Sequence, residues 1–223
     1  IEEIDSQKKA IGPFALLALI DEPEVQMKAT EIYAKDKHPK MSLLPKLSGV
    51  IEHKKIRIGY YSADFRDHPV ASLTAELYEK HDRKNFEVYA FSYGPDTNDE
   101  LNLRIKEGVD YFYDVHLMSH KETVILSRSL EIDIAINLGG FTQDSRTGIF
   151  AMNVAPIQVN YLGYSGTMGI DYMHYLIADM TVIPKDKQAH YSEKIAYLPN
   201  SFMVNNSKNN ISKKIFTRVD CGL

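Results

Sequence analysis

The chain has 223 residues, 44% of them hydrophobic and 25% charged, a mix that supports one or two globular domains with a real core. A net charge of −4 and the lack of a dense Lys/Arg stripe exclude general attraction to nucleic acid; the pairs Lys8-Lys9, Lys54-Lys55 and Lys213-Lys214 read as solvated surface. The single cysteine, Cys221, excludes an internal disulfide framework and favours a reducing compartment. The opening "IEEIDSQKK" lacks the shape of a signal peptide, and the longest apolar run, Phe14 to Ile20, is too short to span a bilayer. A cytoplasmic protein with no membrane partner is the expectation.

Residues 11–37 read as two helices. "PFALLALI" starts behind Gly12-Pro13, and "EPEVQMKATEIYAK" carries Pro23 and Glu24 in its first turn. Residues 38–54, with Pro39, Pro45 and Gly49, read as a linker. From Lys55 the pattern changes. Strand-like runs occur at 55–62, 86–92, 111–115, 132–138, 156–163, 175–179 and 194–199. Helical segments fit between the first four, at 70–82, 99–109 and 119–131, the last opening on the capping box Ser119-x-x-Glu122. Strands alternating with helices predict βαβ units: an α/β, Rossmann-like, mostly parallel sheet with helices on both faces, behind a short helical segment. The nearly all-apolar run Ile132 to Leu138 fits a strand covered on both sides. The tail "SKNNISKKIFTRVDCGL" starts as a polar loop and breaks off as an apolar pattern begins, which suggests a piece of a longer protein.

In such a sheet, ligands bind beyond the carboxyl ends of the strands, where the strand order reverses. Three loops qualify. The first, Ser62 to Pro69, holds Asp64, Arg66, Asp67 and His68. His68 stands just before a helix as a possible acceptor or base; alternatively Asp64 or Asp67 caps that helix, Asp67 being well spaced for it. The second, "NLGGFTQDSR" (137–146), has Gly139-Gly140 for a tight turn or close ligand approach, and Thr142, Gln143 and Arg146 as polar groups. Its plainer reading is a strand-to-helix turn with Asp144 or Ser145 as N-cap. The third, "LGYSGTMG" (162–169), offers three glycines with Ser165 and Thr167 as an anion-binding loop, or else an irregular connection; its spacing fits neither the dinucleotide nor the P-loop fingerprint. His116 and His120 lack a third ligand, so no metal site is expected. Neither an Asp-x-Asp pair nor a nucleophile elbow is present.

"KIRIGYYSADFRDHPV", "FEVYAFSYGP", "IDIAINLGGFT", "APIQVNYLGYSGTMG" and "YSEKIAYLPNSF" resemble, in order and spacing, the O-linked N-acetylglucosamine transferase family with its bacterial SPINDLY-type members; "PFALLAL" extends the likeness to residues 11–223. The resemblance implies one lobe of a GT-B glycosyltransferase: a helical extension and linker at 1–54, the N-terminal catalytic lobe at 55–204, and at 205–223 a linker toward a C-terminal lobe of the same protein, with tetratricopeptide repeats usual upstream. It implies transfer of a sugar with inversion, most simply N-acetylglucosamine from UDP-GlcNAc, to Ser or Thr hydroxyls of a protein or peptide acceptor. No metal or other cofactor is implied. His68 falls on the family's catalytic histidine, as base or positioning group. Asp64, Asn137, Gly139, Gly140, Phe141, Thr142, Gly163, Tyr164, Gly166 and Thr167 fall on the substrate-facing loops. Three positions depart from the family pattern: Phe141 for His or Tyr, Ser165 for Pro, and His174 in place of an acidic residue. Two other readings stand beside this one: a non-catalytic peptide- or sugar-binding module, and an O-fucosyltransferase using GDP-fucose.

Overall fold

The structure, a computed structural model, describes residues 4, 11–47, 53–208 and 213–222. Gly49 of the expected linker lies outside them. Seven strands, β1 (Ile56–Ser62), β2 (Phe86–Ser92), β3 (Tyr111–Asp114), β4 (Ile134–Asn137), β5 (Ile157–Asn160), β6 (Tyr175–Ala178) and β7 (Lys194–Tyr197), form one sheet in the order β3-β2-β1-β4-β5-β6-β7. Every pairing is parallel. The order reverses between β1 and β4, which makes their carboxyl ends the switch point of a doubly wound sheet.

Period-two alternation assigns each strand residue a face. Ile58 and Tyr60 of β1, with Val88, Ala90 and Ile136, pack under α3 (Pro69–Lys80) and α4 (Glu100–Gly108). Tyr61, Phe91 and Ala135 face the other way, toward α5 (His120–Ser129), the short 3₁₀ turn Thr147–Met152 and Ala34 of α2 (Pro23–Lys37). Tyr61 and Phe91 stack with ring centroids 4.5 Å apart. Burial on both faces is why the 132–138 run is nearly all apolar, although only Ile134–Asn137 join the ladder.

The helix starts follow side-chain chemistry. Ser119 and Glu122 close the expected capping box, and Asp99 caps α4 by accepting the N–H of Asn102 at 2.9 Å. α1 (Pro13–Leu19) and α2 both begin on a proline. The cap of α3 is a correction. Asp67 does not cap it; His68 does, accepting the N–H of Val70. Asp67 instead donates its own N–H to Asp99 Oδ2 at 2.8 Å, which turns it toward α4. Neither Asp144 nor Ser145 caps the segment after β4; that turn starts behind Arg146 without a side-chain cap.

The segment before β1 is bound to the sheet. Met41 donates its N–H to Ala151 O at 2.8 Å, Tyr172 donates its hydroxyl to His38 O at 2.7 Å, and Arg128 donates to the carbonyls of Pro45, Met152 and Asn153. After β7, Ser207 donates N–H and hydroxyl to Glu76 of α3. Among the described residues no helix is long and apolar enough to cross a membrane.

Candidate active site

The loop after β1 is held rigidly. Phe65 is 1% exposed and packs edge-on to Tyr78 and Phe112. Asn102 donates to Phe65 O at 2.6 Å, and Ser62 Oγ accepts the N–H of Asp64 at 2.9 Å. Gly94 lies so close to the Ala63 carbonyl that a Cβ there has no room. With Phe65 pinned, Asp64, Arg66 and His68 turn toward the strand ends. His68 Nδ1 stands 3.7 Å from Asp64 Oδ2, and Arg66 Nη2 stands 3.6 Å from Asp64 Oδ1. Burial pushes the Asp64 carboxyl above its ordinary range, opposed by His68 and Arg66 and assisted by the nearby Asp144 charge. The Nε of Arg66 is buried without a partner.

The loop after β4 turns on Asn137. Its side-chain oxygen accepts the N–H groups of both Gly139 and Gly140 at 3.1 Å. Those amides are therefore directed inward. Gly140 has φ +58° and lies against Tyr164, so only glycine fits. Thr142 folds back, its hydroxyl donating to Gly139 O at 2.7 Å. Arg146 points away from the loop, donating to the carbonyls of Val115 and Met118.

The 162–169 loop is packed internally. Gly163 donates its N–H to the carbonyls of Leu138 and Tyr161. Asn160 holds Tyr164 O at 2.8 Å. Glu193, 5% exposed, accepts from Thr167 Oγ1 at 2.8 Å, Met168 N at 2.6 Å and Ser192 Oγ at 3.1 Å. The amides of Gly163, Met168 and Gly169 are thus engaged within the protein.

Around these loops lies a cavity of about 390 Å³, lined by Phe14, Asp64, Arg66, His68, Val70, Thr142, Gln143, Asp144 and Gly163. Of the residues singled out in the sequence, Asp64, His68, Thr142 and Gly163 meet there. Asn137, Gly139, Gly140, Tyr164, Gly166 and Thr167 are buried behind its wall. Phe141 also lies back from it: its ring stacks on His38 at 5.5 Å and meets Tyr33 and Tyr164 edge-on. His174 Nδ1 accepts the N–H of Gln158 at 3.0 Å and so acts as a strand-end acceptor. Ser165 is half-buried between Tyr164 and Gly166. Arg66, Gln143 and Asp144 belong to loops the sequence had marked, whereas Phe14 comes from α1 and had no local signal. No group of three or more His, Cys, Asp or Glu suited to a metal occurs among the described residues. A second cavity, of about 300 Å³, opens at the amino ends of β1, β4 and β5, around His53, Ile132 and Pro156, on the wrong edge for the switch point.

A parallel sheet with a histidine, two carboxylates and an arginine gathered at its switch point defines a ligand-binding lobe of the doubly wound α/β class. Its sequence narrows that further: the chain belongs to glycosyl transferase family 41, whose sequence model matches residues 36–220. It is 40% identical over 155 residues to a probable UDP-N-acetylglucosamine–peptide N-acetylglucosaminyltransferase SEC of Arabidopsis thaliana, covering 70% of this chain and 16% of that protein. It is 36% identical over 154 residues to the UDP-N-acetylglucosamine–peptide N-acetylglucosaminyltransferase of Caenorhabditis elegans, covering 68% and 13%. A solved mutant O-GlcNAc transferase of Thermobaculum terrenum matches with a TM-score of 0.78 at 28% identity, over 85% of this chain and 37% of that one. The chain thus spans a small part of the length of its relatives.

Proposed function

We propose that this chain is the N-terminal catalytic lobe of an inverting protein O-glycosyltransferase that moves N-acetylglucosamine from UDP-GlcNAc to Ser or Thr hydroxyls. The observation that carries the reading is the meeting of His68, Asp64 and Thr142 in one cavity at the switch point, in a chain of this family. The names of the relatives supply the donor and the acceptor class. A second lobe, outside this chain, supplies most of the nucleotide contacts.

In the reaction, the acceptor oxygen attacks C1 of the sugar, the C1–O bond to the diphosphate breaks, and its electron pair leaves with the diphosphate. The acceptor proton must be taken up, and the ground-state hydrogen bonds of His68 bear on how. The Val70 N–H occupies Nδ1, so the neutral ring carries its proton on Nε2 and offers a donor to a ligand. Service as a base at Nε2 requires the other tautomer, with Nδ1–H released from Val70 and turned to Asp64, 3.7 Å away. Asp64 is placed to stabilise that form. Metal is not part of the proposal; leaving-group charge falls to the second lobe.

The test is mass spectrometry of acceptor proteins incubated with the full-length protein and either UDP-GlcNAc or GDP-fucose. A mass increase of one N-acetylhexosamine, unaffected by a chelator, is expected. A deoxyhexose adduct assigns the fucosyl reading, and peptide binding without turnover for either donor assigns the non-catalytic module. The isolated chain is expected to transfer nothing and to bind uridine diphosphate weakly, because it contributes one wall of the cleft.

A further inference from the structure

Eight of the nine residues lining the catalytic cavity come from the strand-end loops of the sheet and the start of α3; the ninth, Phe14, comes from the second position of α1. α1 is held by Pro13, Leu16 and Leu17. Pro13 and Leu16 are buried, Leu16 packing with Ala29 of α2. Leu17 joins the main core and reaches the 162–169 loop, lying 3.1 Å from where a Cβ on Gly166 would stand. The helix is thereby fixed on the loop that forms one side of the cavity. Phe14, 54% exposed, lines the same cavity as Asp64 and His68. What sets Phe14 apart from other exposed apolar residues is its place in the cavity lining, where an aromatic ring stands beside polar groups and is available to a ligand.

We propose that Phe14 is a specificity-determining residue that packs against the acceptor polypeptide beside the hydroxyl to be modified. This rests on the glycosyltransferase reading given above. Chemistry favours the acceptor over the donor as occupant. In the reading above the nucleotide falls mostly to the second lobe, and a phenyl ring has nothing to offer a diphosphate, while an apolar side chain flanking a Ser or Thr gains by covering it. The polar side of the cavity, Asp64, His68 and Thr142, then faces the reacting groups, and Phe14 with Val70 forms its apolar margin.

The experiment separates transfer from donor hydrolysis in the full-length protein. Two Ser/Thr peptides are compared, identical except for an apolar residue or alanine next to the acceptor, and sugar release to water is followed without peptide. The wild type is expected to favour the apolar-flanked peptide about tenfold in kcat/KM. Phe14→Ala is expected to lose that preference through a roughly tenfold rise in peptide KM, about 1.4 kcal/mol, with donor hydrolysis within twofold of wild type. Phe14→Tyr should retain the preference. Unchanged peptide KM in Phe14→Ala overturns the proposal. So does a parallel fall in hydrolysis, which places the ring against the donor if the melting temperature holds and marks it as structural if that falls. A wild-type protein that neither transfers nor hydrolyses overturns the underlying reading instead.

Discussion

His68 accepts the backbone N–H of Val70 through Nδ1 at 3.2 Å, so the residue that lines the cavity also closes the first turn of α3. Its two duties are separable by substitution. His68→Ala should lose about 1 kcal/mol of stability with the cap and roughly a hundredfold or more in turnover. His68→Asn keeps a cap-competent side chain and should recover the melting temperature without recovering turnover. Chemical denaturation beside a transfer assay of the full-length protein decides it; recovery of turnover in the asparagine variant would assign His68 to capping alone.

Asp64 is held on the opposite terms. Its folded-state carboxyl titrates above the ordinary aspartate range because of burial, so the native state binds this proton more tightly than the unfolded chain. The stability associated with the protonated form is full below the ordinary value and is lost as pH rises through the raised one. Asp64→Asn should therefore melt at or above the wild-type temperature at pH 7, with the difference vanishing below about pH 4, while transfer falls. An asparagine variant less stable than wild type at neutral pH would contradict this balance.

Glu79 shows the reverse sign. Arg104 at 2.7 Å and Lys208 at 2.6 Å hold its carboxyl down to about 2. The stabilisation is present above the ordinary glutamate value and disappears as pH falls toward 2. Glu79→Gln should cost about 1 kcal/mol at pH 7 and flatten the acid limb of the melting curve. Equal acid sensitivity in wild type and variant would show that this cluster contributes nothing.

Phe141 supports the wall of the cavity from behind. Its ring fills the space between His38, Tyr33 and Tyr164, tying the end of α2 to the loops after β4 and β5. Phe141→Ala should cost about 3 kcal/mol, and Phe141→Tyr less than about 1 kcal/mol, measured by urea denaturation. A tyrosine variant with changed acceptor preference but unchanged stability would bring this ring into the cavity.

Gly163 tests the packed loop. A Cβ at this position meets the Leu138 carbonyl, backbone against backbone, so neither side can give way by turning a side chain. Gly163→Ala should cost more than about 2 kcal/mol and depress transfer through displacement of the cavity wall. Differential scanning calorimetry of the variant supplies the check, and a melting temperature equal to wild type would refute the close approach.

The sheet was legible because its signals are local. Period-two runs, the Ser119 capping box and the prolines opening α1 and α2 each act within a few residues. The three loops were legible as positions, since chain alternation dictates which strand ends face a ligand. Side-chain direction within them was not. Gly-Gly reads equally as a ligand cradle or a turn, and only Asn137, an Asx-type acceptor two residues before the pair, tells that both amides face inward. Thr167 finds its partner in Glu193, far along the chain, and Phe14 reaches the cavity on a helix that Leu16 and Leu17 anchor to distant parts of the core. No pattern within a window of the sequence carries such contacts.

The interior position of β1, between β2 and β4, has a consequence for synthesis. The strand is complete at Ser62, yet one of its two neighbours, β4, ends at Asn137. At about 5 to 20 residues per second, β1 therefore waits on the order of 4 to 15 s on the ribosome with one edge unpaired and Tyr61 without its cover. A nascent chain arrested before β4 emerges should be cleaved readily by protease and retained by chaperones, whereas one arrested after β5 should be protected. Codon changes that slow translation between Ser92 and Ile134 prolong the exposed interval, so they should reduce the yield of folded protein while leaving every contact in the finished molecule the same.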